Sequence, residues 1–257
     1  MMAVDAKLQH PDEVHDADWG QALQCQIDLL TSIEQEFVPL PWGHDHECYL
    51  VQHPRADLGP PVAMEVCSGS ARLTRTFIKA GVKAFGIDNK RNVHKPMGPT
   101  LTLDLSEPSQ EQLVWQWFEN HHIIFNHMAP PCGTASRARE KPLPQQAHGS
   151  RPPRPLRTEE HPWGILDRQP WELMKLVRAN FVYLTCFQLA VWCTVRGIRW
   201  CIENPANSLL WFTPLYRLLE KLPGVVDVVY DGCMHGGSRP KKQRLRTNCQ
   251  SLQSMGI

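Results

Sequence analysis

The chain of 257 residues contains no pair of cysteines in C-x-x-C spacing, which excludes the usual zinc-ribbon and thioredoxin-like readings. Its nine cysteines are odd in number and scattered. Several (Cys186, Cys193, Cys201) stand in apolar runs, where a free thiol behaves as a small core hydrophobe. That usage points to a reducing compartment, nucleus or cytoplasm, and away from secretion. The first residues carry Asp5, Asp12, Glu13 and Asp16 and lack an apolar core, so no signal peptide is expected. No apolar run reaches the ~20 residues of a bilayer span, and Phe181 to Val195, the longest, reads as a buried helix. Charge of one sign is also missing. Lys+Arg number 27 and Asp+Glu 26, a net +1, with no compact run of Lys/Arg. No global field then attracts a polyanion, and any nucleic-acid contact must come from local basic patches.

What is present is enough chain for one sizeable α/β core and an alternation of strand and helix patterns. Residues 1–60 read as a partly helical N-terminal extension. Asp18 to Phe37 has helical spacing, with Leu23, Ile27, Leu30 and Ile33 on one side. His44-Asp45-His46-Glu47-Cys48 has metal-ligand residue types but reads as a polar loop before a short strand at 49–51, and no metal is assigned. From residue 61 the spacing predicts strands at 62–66, 83–87, 100–105, 123–127, 197–202 and 225–230. Helices are predicted at 71–80, 110–120, 171–195 and 209–222. Such alternation implies a mostly parallel sheet with right-handed crossovers. Two stretches stand outside it: an Arg/Pro-rich insertion at about 140–170, of a length that is usually functional or disordered, and a basic segment at 240–248.

Four motifs sit at predicted element ends. Glu65-Val66-Cys67-Ser68-Gly69-Ser70-Ala71 is a small-residue turn after the first strand, where a ligand can approach the backbone closely. Asp88 ends the second strand, suited to accept both hydroxyls of a ribose, and Asp104 ends the third, suited to an adenine amino group. Together they favour an adenosyl ligand. Cys132 follows Pro130-Pro131, which restrict the backbone and aim the thiol. Glu203 emerges from the predicted strand 197–202 in Glu203-Asn204-Pro205. Arg244 and Arg246 lie in the basic segment.

In this order the motifs resemble the DNA cytosine-5 methyltransferase family, over roughly residues 60–250. The resemblance implies a Rossmann-like class I methyltransferase sheet with helices on both faces. It implies S-adenosylmethionine as cofactor, held by Glu65, Cys67, Ser68, Gly69, Ser70, Asp88, Asp104 and Pro131. It makes Cys132 the nucleophile that adds to C6 of cytosine, Glu203 the protonated acid at N3, and Arg244 or Arg246 the brace for oxygen and phosphate. Ser136, Arg137 and Arg139 correspond to the mobile loop that closes on DNA, and Lys242 stands where the family has the glutamine of Q-x-R-x-R. The chain departs in having E-N-P for E-N-V and in lacking F-x-G-x-G. The family continues beyond the arginine motif into a target-recognition region, which a partner chain could supply. Two alternatives stand beside methylation of DNA: the same chemistry on RNA, and a truncated, inactive domain from a mobile element that only binds cofactor or nucleic acid. No membrane partner is expected.

Overall fold

A computed structural model describes residues 18–36, 58–140, 154–235 and 240–256. The segment His44–Cys48, the strand expected at 49–51 and the first part of the Arg/Pro-rich stretch lie outside them.

Seven strands form one sheet: β1 (Val62–Val66), β2 (Lys83–Asp88), β3 (Thr100–Thr102), β4 (Ile123–Met128), β5 (Arg199–Pro205), β6 (Val226–Asp231) and β7 (Lys242–Thr247). Their order is β3-β2-β1-β4-β5-β7-β6. All neighbours are parallel except β7, which runs antiparallel to β5 and β6. β1 is buried along its whole length, as a central strand covered on both faces must be. Side chains alternate between the faces. Ala63 and Glu65 meet helix α2 (Arg72–Lys79) on one side, together with Phe125, whose ring lies 5.5 Å from that of Phe77. On the other side lie α3 (Pro108–Asn120) and α4 (Pro170–Val195), through Phe85–Trp117 at 5.3 Å and Phe118–Trp192 at 5.5 Å. The fold is therefore the expected mostly parallel, Rossmann-like α/β sheet with helices on both faces.

α4 has the length and composition of a membrane-crossing helix, yet 72% of its most apolar window is buried inside the fold. It is the core helix. Gln169 caps it reciprocally with Glu172, and Pro170 takes its first position. Helix α1 (Trp19–Glu36) docks on it: Gln26 Nε2 donates to the Val177 carbonyl at 3.2 Å, and Gln26 Oε1 accepts from Asn180 Nδ2 at 3.0 Å.

Three expectations change. The helix predicted over 209–222 is a 3-10 turn (Leu209–Phe212) followed by α5 (Pro214–Leu219). Pro214 cannot continue a helix but suits the start of one. The third strand ends at Thr102, leaving Asp104 in the turn before α3. The basic segment 240–248 contains an internal strand, β7, because Leu245 alternates with Arg244 and Arg246 and packs between Glu203 and Val228.

Candidate active site at the carboxyl edge of the sheet

Parallel topology brings the carboxyl ends of β1, β2, β4 and β5, and the start of β7, to one edge, the usual place for a ligand in such folds. At the end of β1 the backbone is strained. Cys67, Gly69 and Ala71 all take left-handed conformations (φ 56°, 53° and 51°), and two of them are not glycine. The turn is held from β2: Asp88 Oδ2 accepts from the Gly69 N–H at 2.6 Å, and Ser68 N–H donates to the Ile87 carbonyl at 3.0 Å. The Ser68 hydroxyl is buried with no partner among the described residues. It lies against Gly86, where an added Cβ would stand 2.7 Å from it. Asp104 is buried, its Oδ1 accepting from the amide and hydroxyl of Ser106 at 3.0 and 2.6 Å.

Two residues of this motif turn inward. Glu65 Oε2 accepts from the amide and hydroxyl of Thr74, both at 2.6 Å, and so caps the first turn of α2 from below. That helix start is satisfied from within, and Glu65 does not face the edge. Burial raises its carboxyl pKa, and the bonds from Thr74 oppose the rise. The Cys67 thiol is hydrogen-bonded to Cys186 in the core, which with burial raises it well above the usual thiol range. Only the backbone of Cys67 is placed to meet a ligand.

Beyond β4, Ala129 N–H donates to the Val66 carbonyl at 3.0 Å. The two prolines are then fastened through their carbonyls: Pro130 accepts from Asn204 Nδ2 at 2.8 Å and Pro131 from the Tyr183 hydroxyl at 2.8 Å. Cys132 follows, half-buried, at the head of a 3-10 turn closed by Ala135 N–H on its carbonyl at 3.0 Å. The third residue of that turn, Thr134, accepts from Arg157 Nε and Nη2 at 3.2 and 3.1 Å. Arg157 has 0% exposure, donates through Nη1 to the Pro162 carbonyl at 2.7 Å, and lies 5.0 Å above the Tyr183 ring. No carboxylate pairs with it among the described residues, and burial lowers its pKa. Sequence reading missed both Arg157 and Tyr183. The available signal was the apolar Leu156 and Trp163 flanking the arginine, both buried, which mark a packed segment inside an otherwise polar stretch.

Glu203 and Asn204 project from opposite faces of β5, so the side chain that reaches the Cys132 loop is that of Asn204. Glu203 shares its face with Cys201 and His127. Its Oε1 is buried without a partner among the described residues, and burial raises its pKa against the opposing charge of Lys241. Beside it, His127 Nδ1 and Cys201 Sγ lie 3.0 Å apart. Burial lowers the His127 pKa to about 4 and raises the Cys201 thiol, so both groups of this contact are held neutral. Tyr230 is pushed up to about 12, first by burial and then by the charge of Glu203.

The basic residues divide sharply. Arg246 has 0% exposure and is enclosed by Asp227 (2.7 Å), Glu220 (2.5 Å) and the Tyr216 carbonyl (2.5 Å). It cannot meet a phosphate or a base, which corrects its expected role as a brace. Arg244 stays partly exposed, 5.2 Å over the Trp211 ring and 3.4 Å from Asp227, opposite Asn204 in the register. Lys242 is exposed at the start of β7. In the segment after Cys132, Arg137 pairs with Glu159 and Glu140 and donates to the Asn207 carbonyl at 3.2 Å. Arg139 donates to the carbonyls of Gly133 and Arg154 at 2.8 and 3.2 Å, and the Ser136 hydroxyl accepts from Ala138 N–H at 3.2 Å. Among the described residues no three His, Cys, Asp or Glu side chains converge as a metal site.

No protein-family model and no curated protein matches this chain. Among solved structures, a SAM-dependent methyltransferase from Anabaena variabilis ATCC 29413 aligns over 90% of this chain and 95% of its own, at 11% identity and a TM-score of 0.30. A superposition that loose carries no argument about chemistry. The residues must carry it.

Proposed function

We propose that the chain transfers a methyl group from S-adenosylmethionine to C5 of cytosine in DNA, with Cys132 adding to C6. The observation that carries this reading is the pinned Cys132 turn. Two consecutive proline carbonyls are tied to α4 and β5, leaving a half-buried thiol at the sheet's ligand edge, one strand away from the strained turn of β1. Such fixing is what a nucleophile needs to meet a ring carbon at one angle.

The first turn fits an adenosyl group. The orphaned Ser68 hydroxyl is a polar atom awaiting a partner, Asp88 presents a carboxylate at the end of β2, and Asp104 lies beyond it. Gly69 and Ser70 with the backbone of Cys67 allow close approach, and Pro131 borders the same edge. When bound, S-adenosylmethionine supplies an electrophilic methyl. The residues of the chain prepare the acceptor. The Cys132 thiolate forms a bond to C6, the C5–C6 π electrons shift toward the ring nitrogen, and Glu203, whose carboxyl pKa burial raises, gives its proton to N3. C5, now nucleophilic, would take the methyl that the bound cofactor supplies, and loss of the C5 proton to a base, departure of the thiolate and return of the N3 proton to Glu203 then restore the ring. Arg244 is the arginine left for cytosine O2, and Lys242 for phosphate. The target base must leave the stack for C6 to be reached.

A second reading, binding without turnover, is favoured by one observation: the donors of Arg137, Arg139 and Arg246 are engaged within the protein. Trapping separates the two. On a duplex bearing 5-fluorocytosine, with S-adenosylmethionine present, an active enzyme becomes covalently attached, because fluorine cannot leave C5 as the proton does. A denaturation-resistant adduct that disappears in Cys132→Ala supports methyl transfer to DNA. An adduct on RNA alone moves the acceptor to RNA. Cofactor binding with no adduct on either leaves the non-catalytic reading.

A further inference from the structure

The segment between β2 and β3 is a strongly charged piece of the carboxyl edge. Lys90, Arg91, His94 and Lys95 fall within six residues, and no acid occurs between Asn89 and Leu103. All four side chains are exposed, and none of the three permanent cations makes an ion pair among the described residues. The loop is nevertheless fastened. Asn92 Nδ2 donates to the Gly69 carbonyl at 2.6 Å, Met97 N–H to the Ser70 carbonyl at 2.8 Å, and Arg91 N–H to Asn89 Oδ1 at 2.8 Å. Gly98 packs so closely on α2 that a Cβ there would stand 2.8 Å from Thr74 Cγ2. At its tip Val93 is 90% exposed, so the tip projects outward from the body.

A fixed, projecting loop with unpaired cations on both sides of its tip is a polyanion contact. Resting on the proposed nucleic-acid substrate, we infer that Lys90, Arg91 and Lys95 bind the phosphate backbone of the nucleic acid whose base enters the Cys132 site. The loop follows β2 and the Cys132 turn follows β4, with β1 between them. Two strand spacings amount to about 10 Å, the length of duplex axis that carries about three phosphates of one strand. The contrast with Arg137 and Arg139 supports the assignment. Those cations stand closer to Cys132 in sequence but have partners in the protein, whereas the 90–95 loop keeps its charges available.

The test measures how binding of a labelled duplex, and of its single strand, depends on salt between about 50 and 200 mM. It compares the wild-type chain, Lys90→Gln/Arg91→Gln/Lys95→Gln, and a control, Lys79→Gln/Lys83→Gln/Lys221→Gln. The control removes the same charge from exposed positions at the opposite edge of the sheet. The loop variant is expected to lose about 2 to 3 from the slope of log K against log salt on duplex, at roughly 0.9 per phosphate contact, while the control keeps the wild-type slope. Tight binding with an unchanged slope in the loop variant would overturn this inference alone, as would an equal loss in the control. A wild-type chain that binds neither duplex nor single strand would overturn both this inference and the function proposed above.

Discussion

Arg157 and Arg246 are both fully buried, yet their surroundings differ. Arg246 lies on β7 between two carboxylates that remain partly hydrated, Glu220 at 50% and Asp227 at 31% side-chain exposure. Its charge is neutralised where it stands, and the group fastens α5 to the β6–β7 hairpin. Among the described residues Arg157 meets only a hydroxyl, a carbonyl and an aromatic ring. A buried cation without a countercharge is costly unless something else compensates, and here it sits directly behind the turn that presents Cys132. The first arginine is explained by packing alone. The second, held at a cost in stability, is a positioning residue of the proposed site.

The largest effect is expected at the neutralised arginine. Arg246→Met should lower stability by about 3 kcal/mol, since removing one partner of a buried pair strands the others. Denaturant unfolding measures it, and a loss under about 1 kcal/mol would mean the ion pairs contribute little. Next comes a contrast in pH. His127 has its pKa depressed from 6.5 to about 4 by burial, so the unfolded chain binds the proton more readily. The stabilisation is present above about pH 6.5 and is lost as pH falls toward 4, roughly 2.5 kcal/mol over that window. His127→Gln should flatten that part of the stability–pH curve, and an unchanged curve would show that His127 is hydrated in solution. Arg157→Met should cost only about 1 kcal/mol, the transfer penalty of its neutral acceptors being offset by removal of an uncompensated charge. The same change should cut the rate of 5-fluorocytosine adduct formation at least about tenfold, with Arg157→Lys recovering part of it. A large stability loss with no change in adduct rate would reverse the comparison. The smallest effect tests backbone strain in place of charge. Ala71→Gly, at φ 51°, should raise stability by less than about 1 kcal/mol, relief of the left-handed strain outweighing the added chain entropy. A lower unfolding midpoint would show that the Ala71 methyl is needed for packing.

The residue types that define the candidate site were legible because they follow conspicuous apolar runs. Ile123-Ile124-Phe125 announces the strand before Pro130-Pro131-Cys132, and Trp200-Cys201-Ile202 the one before Glu203. The inward roles of Glu65 and Cys67 were not legible. A carboxylate in a small-residue turn looks the same whether it faces a ligand or caps a helix, and only the position of Thr74 decides. The Arg157–Thr134–Tyr183 cluster joins residues 23 and 49 positions from Thr134, across an irregular stretch with no periodicity to place it.

From composition and the order of apolar runs, the sequence determined a mostly parallel α/β sheet and the set of motifs carried to its ligand edge, because hydrophobic periodicity specifies strands and helices locally. Tertiary structure decided which face each motif side chain takes. In a strand a shift of one residue exchanges the two faces. Pairing of β5 with β4 set Asn204 against the Cys132 loop and put Glu203 on the opposite face, and the antiparallel pairing of β7 with β5 turned Arg246 into a buried tie.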